Sequence, residues 1–227
     1  MAQSVLIIAD SGTGKSTAIR NLNPDETFII NIANKPLPFK GWKKNYTLIS
    51  KDNPQGNLAS ASSAAGIIKA INHVDQKRPT IKTLVVDDWQ YMSSFEYFDR
   101  ATEKGYDKFT QIAANLAMVA KLPKDLRDDL TVIFLTHSED STDINGNRKI
   151  KAKTIGKMID NTLTLEGLFS IVLFGKVNKN DDGELEYGFE TQNNGENTCK
   201  SPQGMFEDFF IPNNLQYVKD CIKKYEE

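Results

Sequence analysis

Ala9-Asp10-Ser11-Gly12-Thr13-Gly14-Lys15-Ser16 is the stretch whose residue types and spacing can do chemistry. Small residues let successive backbone N–H groups turn toward phosphate oxygens. A lysine after them reaches β- and γ-phosphates, and a serine beside it can hold Mg²⁺. The apolar run Val5-Leu6-Ile7-Ile8 leads into the loop, and the helix-compatible run Ser16-Thr17-Ala18-Ile19-Arg20 leaves it. Strand–loop–helix is the context a Walker A loop requires, and a helix N-terminus would add partial positive charge. Ser11, Gly12, Thr13, Gly14, Lys15, Ser16 and Thr17 are therefore the expected nucleotide contacts. Ala9 stands where the pattern has its first glycine, and its methyl is unwelcome if that residue needs φ > 0.

A second acidic element fits beside the loop. Thr83-Leu84-Val85-Val86 is a continuous apolar run that ends in Asp87-Asp88. Such runs mark strands buried on both faces, as in parallel sheets. Asp87 reads as the Walker B aspartate, sharing Mg²⁺ with Ser16. Asp88 is the candidate for orienting or deprotonating an attacking water, or it caps the helix that starts near Trp89. His137 comes after the next apolar strand, Leu130–Thr136. Ligands of doubly wound sheets sit at the carboxyl ends of parallel strands. His137 is thus expected at the γ-phosphate, or else satisfied locally by a backbone carbonyl.

The remaining elements must position these groups. A second strand is expected at Thr27–Ile32 and a short third at Tyr46–Ile49, separated by Pro36 and Pro38. Helical spacing of Ala64, Ile67, Ile68, Ile71 and Val74 predicts a helix over 58–76. Two more are expected over 90–103 and 107–122. Lys153 to Asn161 suits a short helix. Phe169–Phe174 reads as a strand, and Asp181-Asp182-Gly183 as a turn into Glu184–Phe189. Leu215, Val218, Ile222 and Tyr225 predict a final helix. The expected fold is an α/β P-loop domain with a mostly parallel sheet: a nucleotide-binding core over 1–165, antiparallel strands over 166–212 and a helix over 213–227.

Composition narrows the class. The chain has 227 residues, 39% of them hydrophobic, and a formal charge of −2. That balance argues against a generally basic nucleic-acid binder while leaving room for a local basic groove. Arg148-Lys149-Ile150-Lys151-Ala152-Lys153 opens such a stretch, continuing to Lys157 without an acid. It suits nucleic-acid phosphates, a cation supplied in trans to a neighbouring subunit's γ-phosphate, or an ordinary solvated face. Lys40-Gly41-Trp42-Lys43-Lys44 suits base stacking or a loop whose Trp42 packs on the core. Two cysteines and two histidines make no metal-ligand spacing. The sparse cysteines fit a reducing cytoplasm, and since no run approaches ~18 apolar residues, no membrane span is expected.

Taken together, the Walker pair, His137 and the trailing strands resemble the phage-type P-loop ATPases. These form a RecA-like group that includes single-strand annealing recombinases of tailed phages. The segments Lys35-Pro36-Leu37-Pro38-Phe39, Lys153-Thr154-Ile155-Gly156-Lys157 and Lys200-Ser201-Pro202-Gln203-Gly204-Met205-Phe206 carry the likeness further. The resemblance implies ATP with Mg²⁺, self-assembly, and single-stranded DNA as partner, for which Arg148, Lys149, Lys151 and Lys153 of the basic stretch are the candidate contacts. It implies nucleotide and Mg²⁺ roles for Lys15, Ser16 and Asp87, with His137 as a sensor. Lys15, Asp88 and His137 are the expected catalytic set. The group usually places a glutamate after its second strand. Here that region reads Asn31-Ile32-Ala33-Asn34, so Asp88 takes the role or turnover is slow. A loader-like ATPase that remodels a protein partner is the competing expectation, followed by a nucleotide-stabilised assembly protein.

Overall fold

In the computed structural model the described residues are 1–142, 146–155 and 163–227. Among them, nine strands form one sheet. They are β1 (Gln3–Ala9), β2 (Thr27–Asn31), β3 (Leu58–Ser60), β4 (Thr83–Asp87), β5 (Thr131–Thr142), β6 (Arg148–Ala152), β7 (Ile171–Lys179), β8 (Leu185–Glu190) and β9 (Phe210–Pro212). Their order is β3-β2-β4-β5-β1-β7-β8-β9, with β6 paired to β5 alone. From β3 through β7 all neighbours run parallel. β8, β9 and β6 pair antiparallel.

The apolar runs explain why this sheet lies between two layers. Side chains alternate between faces along a strand. Leu6, Ile8, Phe28, Ile30, Leu84, Val86, Val132 and Phe134 enter one apolar cluster. Their neighbours Val5, Ile7, Ile29, Val85, Ile133 and Leu135 enter the other. The first cluster is covered by α2 (Ala64–Lys77), α3 (Gln90–Asp99) and α4 (Asp107–Lys121). The second is covered by α5 (Leu215–Glu226), the turn of α1 (Trp42–Asn45) and residues Ala18, Ile19 and Leu22. Trp89 is fully buried in the first layer, with its ring 4.8 Å from Phe134 and 6.0 Å from Phe169.

Several expectations need correction. The segment after the phosphate loop is not an α-helix but a six-residue 3-10 helix, Ser16–Asn21. Pro24 opens another 3-10 turn at Pro24–Glu26, and β2 begins at Thr27. The chain between loop and strand is too short and too proline-limited for a regular helix. The charge contribution of a full helix dipole is reduced accordingly.

The third parallel strand is Leu58–Ser60, inside the segment expected to begin a helix. Tyr46–Ile49 contributes only a single bridge, Leu48 to Leu58. α2 starts later because Ser63 caps it, accepting a bond from the Gly66 N–H.

β5 does not end at His137 but runs on to Thr142, its residues 138–142 pairing antiparallel with β6. The polar residues 138–142 and 148–152 therefore form a two-stranded arm. Most of the helix expected over 153–161 lies outside the described residues. Among the described residues, no helix is long and apolar enough to cross a membrane.

Phe134→Ala would leave a cavity beneath Trp89. It should cost about 3–5 kcal/mol, read from the urea midpoint at unchanged m-value.

Candidate functional site

Register brings the chemistry to one edge of the sheet. Ala9 pairs with His137 across β1 and β5, and Asn31 pairs with Asp87 across β2 and β4. Ala9 also faces Gly175 on β7. Ala9 is the extended last residue of β1, fully buried. A Cβ on Gly175 would come within 2.7 Å of its methyl. The alanine is thus accommodated across the sheet, by a glycine on the neighbouring strand. The left-handed positions of the loop fall on glycines, Gly12 at φ 84° and Gly14 at φ 87°.

Lys15 is buried with 6% exposure. Its Nζ donates to the carbonyls of Ala9 and Asp10, each at 2.9 Å, and lies 3.5 Å from His137 Nδ1. An ammonium only donates, so Nδ1 is the acceptor there, and the imidazole proton belongs on Nε2. That nitrogen faces Asp88 Oδ1 at 3.5 Å. Burial brings the Lys15 pKa down to about 8, against opposing attraction from Asp88, Asp87 and Asp10.

Ser16 Oγ donates to Asp87 Oδ1 at 2.8 Å. Asp87 is 4% exposed. Burial first, and then the charge of Asp88, raise its pKa to about 6 despite the Ser16 hydrogen bond. A serine hydroxyl beside an anionic carboxylate is a set of hard oxygen donors, which fits Mg²⁺.

Asp88 adopts φ 60°. Aspartate tolerates this left-handed conformation better than most residues. Burial alone would raise its pKa, but hydrogen bonds from His137 and Lys35 outweigh that and hold it below the usual carboxylate value. It does not cap α3. Trp89 occupies the cap position without a side-chain bond.

Lys35, which the motifs did not single out as a site residue, lies 2.6 Å from Asp88 Oδ2. It also sits over the Tyr91 ring at 5.5 Å. Asn31 builds the turn that presents it. Its Nδ2 donates to the Lys35 carbonyl at 2.6 Å, and its Oδ1 accepts the Lys35 N–H at 3.3 Å. The region that lacks a glutamate therefore delivers a cation.

Lys15, Ser16, Lys35, Asp88 and His137 line a cavity of about 440 Å³ together with Ser11, Gly12, Gly14, Thr17, Arg20, Tyr187 and Asn213, while Asp87 lies behind Ser16 and does not line it. Thr13 does not line it. Its Oγ1 donates to the Asp10 carbonyl, and it faces a separate cavity with Arg148 and Lys176. Arg20, Tyr187 and Asn213, like Lys35, went unmarked as site residues in the sequence. Only a single arginine on the loop's exit segment could have been suspected.

Arg148, Lys149, Lys151 and Lys153 lie outside this cavity, the first three on β6. Arg148 pairs with Asp140 at 2.8 Å, and Lys151 pairs with Glu139 at 3.2 Å. Lys153 donates its backbone N–H to the His137 carbonyl. Lys149 lies between these pairs on β6, its carbonyl accepting from Ser141 Oγ at 2.8 Å. Trp42 is half-buried against the second apolar cluster, so it packs on the core.

Fold and site together define a P-loop nucleotide-binding domain, with a phosphate loop at the centre of a mostly parallel sheet. A family model described as an AAA domain matches residues 1–203. The chain belongs to that family of P-loop ATPases, which generally use ATP with Mg²⁺. No curated protein matches it.

A lysine that holds phosphate does so as a cation, and a bound polyanion at the loop would raise the Lys15 pKa. ATP affinity should therefore fall as pH rises through about 8, approaching tenfold per unit. A lysine of ordinary pKa would hold its charge to about 10. Calorimetric titration between neutral and alkaline pH checks this, and an affinity flat through that range would contradict the buried-lysine geometry.

Proposed function

We propose that the chain is an ATP hydrolase of phage DNA recombination or replication that works as an oligomer and binds single-stranded DNA in a nucleotide-dependent way. The observation that carries the hydrolase reading is the convergence of Lys15, Ser16, Asp88 and His137 on one cavity edge, with buried Asp87 behind it and joined to it by the Ser16–Asp87 bond at 2.8 Å. In this reading Ser11 to Thr17 hold the triphosphate, with Lys15 on its β- and γ-oxygens. Ser16 and Asp87 hold Mg²⁺, which when bound supplies charge neutralisation at the phosphates. Asp88 orients the attacking water, its φ of 60° supporting a position maintained for function. His137 links Lys15 to Asp88 and would sense the γ-phosphate. Lys35 neutralises Asp88 and limits its basicity, which supports slow turnover.

The DNA reading rests on the β6 arm. Arg148, Lys149, Lys151 and Lys153 would contact backbone phosphates. The exposed Arg148–Asp140 pair is worth only ~0–1 kcal/mol, so phosphates can compete for the arginine. A cation contributed in trans would come from Lys151, Lys153 or Lys176. Lys176 is held by buried Glu190 at 2.7 Å.

The pairing of arm cations with Asp140 and Glu139 favours one alternative. A nearly balanced arm suits a protein partner, as in a loader or remodelling ATPase.

ATP hydrolysis with and without single-stranded DNA separates these readings, with Lys15→Ala as the blank. The proposal expects stimulation by DNA, lost in Lys15→Ala. It also expects a kcat about 100-fold lower in Asp88→Asn, with ATP affinity retained. Turnover indifferent to DNA would count for the protein-partner reading. Normal ATP binding by Lys15→Ala would defeat the phosphate-loop assignment itself.

A further inference from the structure

The cavity has a second set of contacts that phosphate chemistry leaves unused. Asn213 is 4% exposed. It donates Nδ2 to the Gly14 carbonyl at 3.1 Å and accepts from Arg20 Nη1 at 3.1 Å. Arg20 also donates to the Thr17 carbonyl at 3.0 Å. The Asn213 backbone N–H donates to the Tyr187 carbonyl at 3.1 Å. A Cβ on Gly14 would stand 3.2 Å from Asn213 Nδ2 and 3.4 Å from Tyr187 Cδ1. Tyr187 remains 42% exposed and lines the cavity. The antiparallel extension is thus bolted to the phosphate loop through Asn213, and it leaves an aromatic ring open beside the loop.

We propose that Tyr187 is the platform on which the nucleobase of a bound nucleoside triphosphate stacks, with Asn213 and Arg20 holding it against the loop. This rests on the phosphate-loop reading above and assigns the other end of the same ligand. The Lys15–His137–Asp88–Lys35 contacts serve the terminal phosphates. Thr17 and Arg20 lie further along the chain, past Ser16; Asn213 meets the site at Arg20, and the Tyr187 ring stands beside Gly14 on the same cavity. Asn213 lies beyond the residues 1–203 matched by the family model, whereas Gly14, Arg20 and Tyr187 lie within them.

The chemistry of the platform sets its selectivity. Every base offers a π-face, so stacking tolerates any base. Asn213, the side chain equipped to read a base edge, is 4% exposed and turns one lone pair to Arg20 and one N–H to Gly14, which limits what it can offer a base. Arg20 brings donors alone. The site therefore holds a nucleobase without reading it closely. ATP, GTP and CTP should bind within about tenfold of one another, since stacking supplies most of the base contribution.

Binding of ATP and of inorganic tripolyphosphate, measured side by side on the full chain, tests this. Tyr187→Ala should weaken ATP about 10- to 100-fold and leave tripolyphosphate unchanged. Tyr187→Phe should restore ATP binding. Tyr187→Leu keeps an apolar contact with the loop without a ring, and it should behave as the alanine variant does.

Unchanged ATP affinity in both the alanine and leucine variants overturns the platform. So does a parallel loss of ATP and tripolyphosphate, which would mean that Tyr187 merely shapes the loop. Failure of the underlying reading has another signature: Lys15→Ala would bind both ligands as the wild type does, or the wild type would bind neither. Either result removes the platform's ligand as well.

Discussion

The structure depends on the burial of β1 on both faces and both edges. Val5 through Ala9 have essentially no solvent exposure, and β5 and β7 flank them in parallel. A strand so enclosed cannot slip, because a one-residue shift would exchange its two apolar faces and unpair its ladder on both sides. Its end point is therefore fixed, and with it the start of the loop. The same register sets His137 opposite Ala9 and leaves room for the Ala9 methyl at Gly175. The phosphate loop is held by the core rather than by a long helix behind it.

That rigidity carries an electrostatic cost concentrated at the site. Asp87, Asp88 and Lys15 are each about 95% removed from water. Charges so placed are tolerable only when partnered. Lys15 therefore turns to two carbonyls of its own loop, Asp87 to Ser16, and Asp88 to Lys35 and His137. The opposite shifts of the two adjacent aspartates arise from environment. Asp87 is enclosed with one hydroxyl, whereas Asp88 has a cation within 2.6 Å. Two carboxylates in sequence acquire distinct characters through their neighbours, the condition under which a site can divide metal holding from proton handling.

The antiparallel extension has a similar double role. β8 and β9 continue the sheet beyond β7, and they also carry Tyr187 and Asn213 to the phosphate loop. Gly188 permits this closeness. A Cβ there would come within 2.5 Å of the Ile211 carbonyl and would strike the Phe210 ring. On the opposite flank, β5 continues past the parallel sheet to pair with β6, where Arg148 and Lys151 meet Asp140 and Glu139. The two departures from a plain parallel sheet thus flank the loop on either side.

Much of this was legible in the chain. Continuous apolar runs at Val5–Ile8, Thr83–Val86 and Leu130–Thr136 required strands buried on two faces, and hence a parallel sheet between two layers. Gly12, Gly14, Lys15 and Ser16 carry their chemistry in their types and local order, so the loop needed no tertiary context to be read. Asp87 was legible for the same reason, as the polar end of a buried strand. Other elements were misread where local pattern competes with distant constraint. Ser16–Asn21 has helical composition, but Pro24 and the nearby start of β2 compress it to a 3-10 turn. Leu58–Ser60 has no strand signal of its own and becomes a strand because β2 offers it an edge. His137 sits within a longer strand because β6 folds back to pair with Ser138 through Thr142.

The sequence by itself determined the α/β class, the phosphate loop and the acidic strand end, since each arises from local geometry and the hydrophobic period. Only the tertiary structure decided that Lys35 faces Asp88 and that Asn213 braces Gly14. It also decided that the cations at 148 and 151 meet carboxylates. These pairings join residues up to 199 positions apart. Their partners are fixed by strand register and chain crossing, which no local pattern encodes.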